Sequence, residues 1–164
     1  MSLVKYSIDT SAILDGFIRH YPPDVFPPLW GKIEELIAQG LLRATEEVKH
    51  ELSKKDDDAY KWAKSQQNLF VPIDTELQLK VKEILGKFPR LVATRRNRSF
   101  ADPFVIALAQ IENSIIITGE KYSGNMNNPK IPDVCRHLDI SCINLLELIR
   151  IEKWIFVGID THPT

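Results

Sequence analysis

"SIIIT", residues 114–118, is an apolar run with no polar residue between its first and last positions. A strand with one wet face alternates apolar and polar side chains. A strand covered on both faces does not, and that is the habit of parallel sheets with helices packed on them. Two further runs, "LVKYSI" at 3–8 and "ISCIN" at 140–144, read as strands on either side of it in sequence. Helical segments separate the three, so the chain is expected to form an α/β layer with a mainly parallel central sheet flanked by helices.

The helical punctuation can be read outward from these strands. A helix is expected from about Ser11, directly after the first strand. "YPPDVFPPLW" carries four prolines and reads as loop, with Pro28 starting the helix "PLWGKIEELIAQ" that Gly40 closes. "LLRA" is read as a short link to Thr45, the expected N-cap of "EEVKHELSK". Asp56–Asp58 look like a solvated capping cluster before "AYKWAKSQQNLF", and Thr75 with Gln78 has the form of a capping box for "ELQLKVKEIL", ending near Gly86. Pro132 suits the start of a short helix, and Asn144 with Glu147 caps "LLELIRI". "WIFVG" could add an edge strand. One domain over residues 1–158 and a tail at 159–164 are expected, without repeats or an internal linker.

Composition narrows the class. An apolar share of 44% and a charged share of 26% describe a globular chain with a sizeable core and argue against disorder. No apolar run approaches the ~18 residues that span a bilayer, and no basic flank precedes an apolar signal core, so no membrane association and a cytoplasmic location are expected. Cys135, His137 and Cys142 fall short of a zinc site, which wants more N and S donors at tighter spacing. Net charge is only −1, but it is unevenly spread: residues 80–100 sum to +6 and the remainder to −7. Such a basic arm, with Arg95, Arg96 and Arg98 toward its end, is either a phosphate-contacting surface or a solvated helix face and loop.

The acids carry the functional signal. Asp9 ends the first strand, Glu120 stands two residues beyond "SIIIT", and Asp102 opens the helix "DPFVIALAQ". Asp102 has a structural explanation, because Pro103 at the first helical position would make it the N-cap. Glu47 and Glu51 share one face of "EEVKHEL". Glu47 sits in the first turn, where the helix dipole favours an anion, whereas Glu51 needs another reason. Open α/β sheets place function beyond the carboxyl ends of their strands. Four carboxylates gathered there would repel one another without a cation, and hard oxygen donors suit Mg²⁺ or Mn²⁺.

This ordered set, Asp9 in "IDTSAIL", Glu51 in "VKHEL", Asp102 in "ADPFVIALA" and Glu120 in "IIITGEK", resembles the PIN-domain nucleases over nearly the whole chain. With "YPPDVFPPLW" and "KIPDVCRHLDISCINLLELI" added, the sequence is similar to an uncharacterised bacterial PIN-like family related to the VapC toxins. The resemblance implies a PIN-like three-layer fold and metal-dependent hydrolysis of RNA phosphodiester bonds. It implies Asp9 and Asp102 as ligands of one or two Mg²⁺ or Mn²⁺ ions, with Glu51 and Glu120 as further or water-mediated ligands. Thr10 and Thr118 match hydroxyl positions that orient the acids. A homodimer and an antitoxin partner are also implied. Glu120 departs from the family pattern, which has Asp there. The alternative is a PIN-like module that binds nucleic acid or a protein without cutting; a nucleotide enzyme is disfavoured, because no glycine-rich phosphate loop is present.

Overall fold

Tyr6, Ser7 and Ile8 form strand β1, and all three are buried. Successive side chains of a strand point to opposite faces, so both faces of β1 are covered. The structure, a computed structural model, describes residues 3–92 and 100–158. Around β1 lie β2 (Leu42–Thr45), β3 (Phe70–Val71), β4 (Ile115–Ile117) and β5 (Cys142–Ile143), in the order β3-β2-β1-β4-β5. Every pairing is parallel, with Ile8 opposite Ile117 and Tyr6 opposite Leu42.

Eight α-helices connect and flank the sheet among the described residues: α1 (Thr10–Leu14), α2 (Pro27–Ala38), α3 (Glu46–Lys55), α4 (Asp57–Ser65), α5 (Thr75–Lys87), α6 (Asp102–Glu112), α7 (Ile131–Leu138) and α8 (Leu145–Ile151). The α/β class with a parallel central sheet is therefore as expected. A π-helical turn, Asp15–His20, continues α1. Helix α6 is buried almost all round, including Val105, Ile106, Leu108 and Ala109, and it packs on β1, β2, β4 and α5. No helix among the described residues is long and apolar enough to cross a membrane.

Several local expectations need correction. "LLRA" is not a link: Leu42–Thr45 is β2, beside the central strand, and its inner Arg43 is accommodated by Glu112 at 3.7 Å. "NLF" does not belong to a helix, since Phe70 opens β3. The N-cap of α5 is Asp74, whose carboxylate accepts from Leu77 N at 2.8 Å, and Thr75 is the first helical residue. Asp has the same capping chemistry one position earlier, which made the register ambiguous. "WIFVG" forms no strand. The Asn144–Glu147 capping box is present in both directions, at 2.8 and 3.2 Å. Residues 159–164, the expected tail, lie outside the described residues.

Candidate active site

The strand order reverses direction at β1. From there the chain builds outward through β2 and β3 on one side and returns to β4 and β5 on the other. At such a switch point the loops leaving neighbouring strands diverge and open a crevice beyond their carboxyl ends. Asp9 follows β1 there and is 2% exposed, with its N–H donated to Ile117 O at 2.9 Å. Thr118 follows β4, and its hydroxyl donates to Asp9 Oδ2 at 3.0 Å. Ser11 Oγ donates to the same oxygen at 2.6 Å.

The hydroxyl net also shapes the loop carrying Glu120. Gly119 N donates to Ser11 Oγ at 2.9 Å and Glu120 N donates to Thr118 Oγ1 at 3.0 Å. Glu120 Oε2 in turn accepts from Ile131 N, at the start of α7, at 2.8 Å. The rest of this loop is gathered by Asp133, a fully buried carboxylate of α7 that accepts from Ser123 N, Ser123 Oγ, Gly124 N and Lys130 N at 2.6–2.9 Å.

Charge converges on Asp9. Burial first, and then the Glu120 carboxylate with a further contribution from Glu51, pushes its carboxyl up to about 6 against an ordinary 3.8. The Ser11 and Thr118 hydrogen bonds pull the other way by favouring the ionised form. Glu51 reaches this neighbourhood because α3 packs against α1; it is one turn beyond Glu47, and its Oε1 accepts from Lys55 Nζ at 2.8 Å. The described acids that raise Asp9 are Glu120 and Glu51.

Asp102 is 7% exposed and is the first residue of α6. The expected capping register is off by one: Ala101 is the N-cap, in αR conformation, and Pro103 is the second helical residue. An acid in the first turn still meets the helix dipole favourably. The orientation of α6 puts Asp102 at the same sheet edge. Its far end leads into β4 at the amino edge, where Ile115 N donates to Lys5 O at 2.9 Å, so its first turn lies at the carboxyl edge. Ser7 Oγ donates to Val105 O at 3.3 Å, which fastens that turn to β1.

One expected residue is placed differently. Thr10 Oγ1 is buried and has no hydrogen-bond partner among the described residues, so the hydroxyl that holds Asp9 from α1 belongs to Ser11. Ser11 was legible as a second hydroxyl in "DTS", but sequence gives no means of choosing between adjacent positions of a helix start. Arg95, Arg96 and Arg98 lie outside the described residues. The described part of the basic arm is largely a helix face, with Lys80 and Lys87 both paired to Glu83, at 3.1 and 3.7 Å. Asp15 was missed altogether. It lies on the π-helical turn and packs so closely on Gly119 that a Cβ there would overlap its Oδ2.

The profile of one protein family matches residues 6–156 and is described as a domain of unknown function, DUF4411. The chain belongs to the DUF4411 family. No curated protein matches it in sequence. Among solved structures, this DUF4411 chain is similar to a chain in the crystal structure of VapBC2 from Rickettsia felis bound to a DNA fragment from their promoter. The identity is 14%, the TM-score is 0.52, and the match covers 86% of the DUF4411 chain and 98% of the other. At that identity the likeness bears on the fold, which is PIN-like.

The oxygen-donor set of the DUF4411 site suits a hard divalent cation, since mutual repulsion at Asp9 is what such an ion would relieve. It is not a closed cage: among the described residues no three His, Cys, Asp or Glu side chains stand close enough to hold an ion together. Mg²⁺ ordinarily takes one or two carboxylates and keeps several waters, and an open edge of this kind fits that habit.

Proposed function

We propose that this chain is a metal-dependent endoribonuclease, the toxin of a toxin–antitoxin pair, acting at Asp9, Glu51, Asp102 and Glu120. The observation that carries the reading is the placement of Asp9, buried at the carboxyl end of β1 where the strand order reverses and bonded to Thr118 at the end of β4, with its carboxyl raised first by burial and then by the charge of Glu120 and Glu51. A surface that only bound anionic RNA would gain nothing from collecting carboxylates at the switch point. One or two Mg²⁺ or Mn²⁺ ions, when bound, would supply an activated water and charge neutralisation at the phosphate. Asp9 and Asp102 would hold the ion, and Glu51 and Glu120 would be further or water-mediated ligands. Ser11 and Thr118 would keep Asp9 ionised and fixed in direction, and Ile131 N would fix Glu120. Arg95, Arg96 and Arg98 would contact phosphates.

The toxin assignment draws on the fold shared with the VapBC2 structure and on the resemblance to VapC toxins. It brings with it a homodimer in the cytoplasm and an antitoxin whose arginine would reach the acids. A second reading, a non-catalytic PIN-like binding module, is favoured by Lys55, which already offers Glu51 a cation at 2.8 Å. The deciding experiment is incubation of mixed RNA with the protein in Mg²⁺, Mn²⁺ or EDTA beside Asp102→Asn. Cleavage that needs the metal and disappears in the variant supports the nuclease; RNA that is bound but left intact with both metals supports the module.

A further inference from the structure

A cavity of about 460 Å³ opens between the π-helical turn, the loop after β4 and the first turn of α8. Its wall includes Thr118 and Gly119, the two residues that precede Glu120, and Ala12, which follows Asp9 by three positions. Whatever fills it lies beside the acids. We infer that this cavity seats one base of a single-stranded RNA whose backbone passes over Asp9 and Glu120. The inference rests on the proposed nuclease for the identity of the polymer.

The lining has the chemistry of a base pocket. Tyr21 offers an aromatic ring, and Leu145 and Leu146 an apolar surface, for a flat heterocycle to pack on. Asn144 spends its carbonyl oxygen on Glu147 N at 2.8 Å, which leaves its amide N–H groups as donors for a base edge. His20 and Lys121 stand exposed at the rim, where a flanking phosphate would run. Among the described lining residues the one acid, Asp15, is matched by Arg19 at 2.7 Å and so does not leave the pocket repulsive to a polyanion. The volume lies within the range of small-ligand sites. An unpaired base that has left its stack fits such a place, whereas a duplex cannot deliver one without unpairing.

The test measures binding in EDTA, where nothing is cut. A fluorescent ten-residue single-stranded RNA and the same oligomer with one abasic ribose are titrated with wild type, Leu146→Trp and Lys121→Glu, the folds checked by circular dichroism. Wild type should prefer the base-bearing RNA by about tenfold. Leu146→Trp, which fills the cavity, should close that gap while keeping the abasic affinity, and Lys121→Glu should weaken both oligomers together. If Leu146→Trp does not fold, Tyr21→Ala must close the gap instead. No preference in wild type, or a preference that survives the cavity-filling variant, overturns the pocket. The cleavage assay fails or succeeds separately: a base-dependent gap without cleavage keeps the pocket and sinks the nuclease, and cleavage without a gap does the reverse.

Discussion

Thr118 Oγ1 donates to Asp9 Oδ2 at 3.0 Å, tying together two adjacent strands whose ends are 109 residues apart in the chain. Ser11 Oγ spends its own proton on the same oxygen at 2.6 Å while it accepts Gly119 N. A buried carboxylate under the charge of Glu120 and Glu51 is thus held by two hydroxyl donors, and the loop bearing Glu120 is built on the same two oxygens.

Asp9 sets a pH dependence whose sign is fixed. Its carboxyl titrates near 6 in the folded protein and at an ordinary 3.8 when exposed, so the folded form binds the proton more tightly. Stability from this group is therefore present at low pH, falls as pH rises between those values, and stays lost above them. Thermal melts in EDTA should show Asp9→Asn more stable than wild type at pH 7.5, by up to roughly 3 kcal/mol, with the difference shrinking toward pH 4. An equal pH slope in the variant would contradict the assignment.

Divalent metal should act on the same group from the opposite side. Mn²⁺ at about a hundred times its dissociation constant should stabilise the protein by roughly 2.7 kcal/mol at pH 7.5 and by much less at pH 5, where the acids compete for protons. Differential scanning calorimetry across a Mn²⁺ titration reads this directly. A melting temperature indifferent to Mn²⁺ at the higher pH speaks against a metal site.

Removing either hydroxyl should raise the Asp9 titration further. Carboxyl carbon NMR of Ser11→Ala and of Thr118→Val should each move the midpoint up, by an amount worth about 1.5–3 kcal/mol for a bond to a charged group. Thr10→Val, whose hydroxyl makes no hydrogen bond among the described residues, should leave that midpoint where it is.

The two glutamates of α3 should separate. On the proposed nuclease, Glu51→Gln abolishes cleavage with little loss of stability. Glu47→Gln costs about 0.3–1 kcal/mol of stability and leaves turnover near normal. An inactive Glu47→Gln beside an active Glu51→Gln would reverse the assignment of this helix.

Gly119→Ala should be destabilising by about 1–3 kcal/mol, because the new methyl meets the Asp15 carboxylate. Asp15→Ala in the same chain should recover much of that loss, and urea denaturation of the four proteins gives the coupling. Additive losses would mean that the close approach of Asp15 to Gly119 does not set the cost.

The sequence was legible where a pattern had room to repeat. β4 showed as an unbroken apolar run, and α8 declared its start through Asn144 and Glu147. β2 and β3 were missed for physical reasons: four residues with an arginine among them, and two residues alone, give no periodicity to read. The order of acids brought out Asp9 and Glu120, but Ser11 and Asp15 depend on which way a helix turns after β1, and the π-helical turn changes that count. Asp102 looked like a cap because Pro103 fits the first helical position as well as the second.

The sheet order also has a consequence for the newly made chain. β1 is synthesised first but stands at the centre, and its second neighbour is β4. A ribosome that has released Asp9, Glu51 and even Asp102 has still not released Thr118, so the pair that closes on Asp9 is absent until more than two thirds of the 164 residues are made. On the proposed nuclease, unfinished translation products therefore carry three of the four acids without the Thr118 hydroxyl that holds Asp9. A break in the backbone that frees β4 would likewise part Thr118 from Asp9.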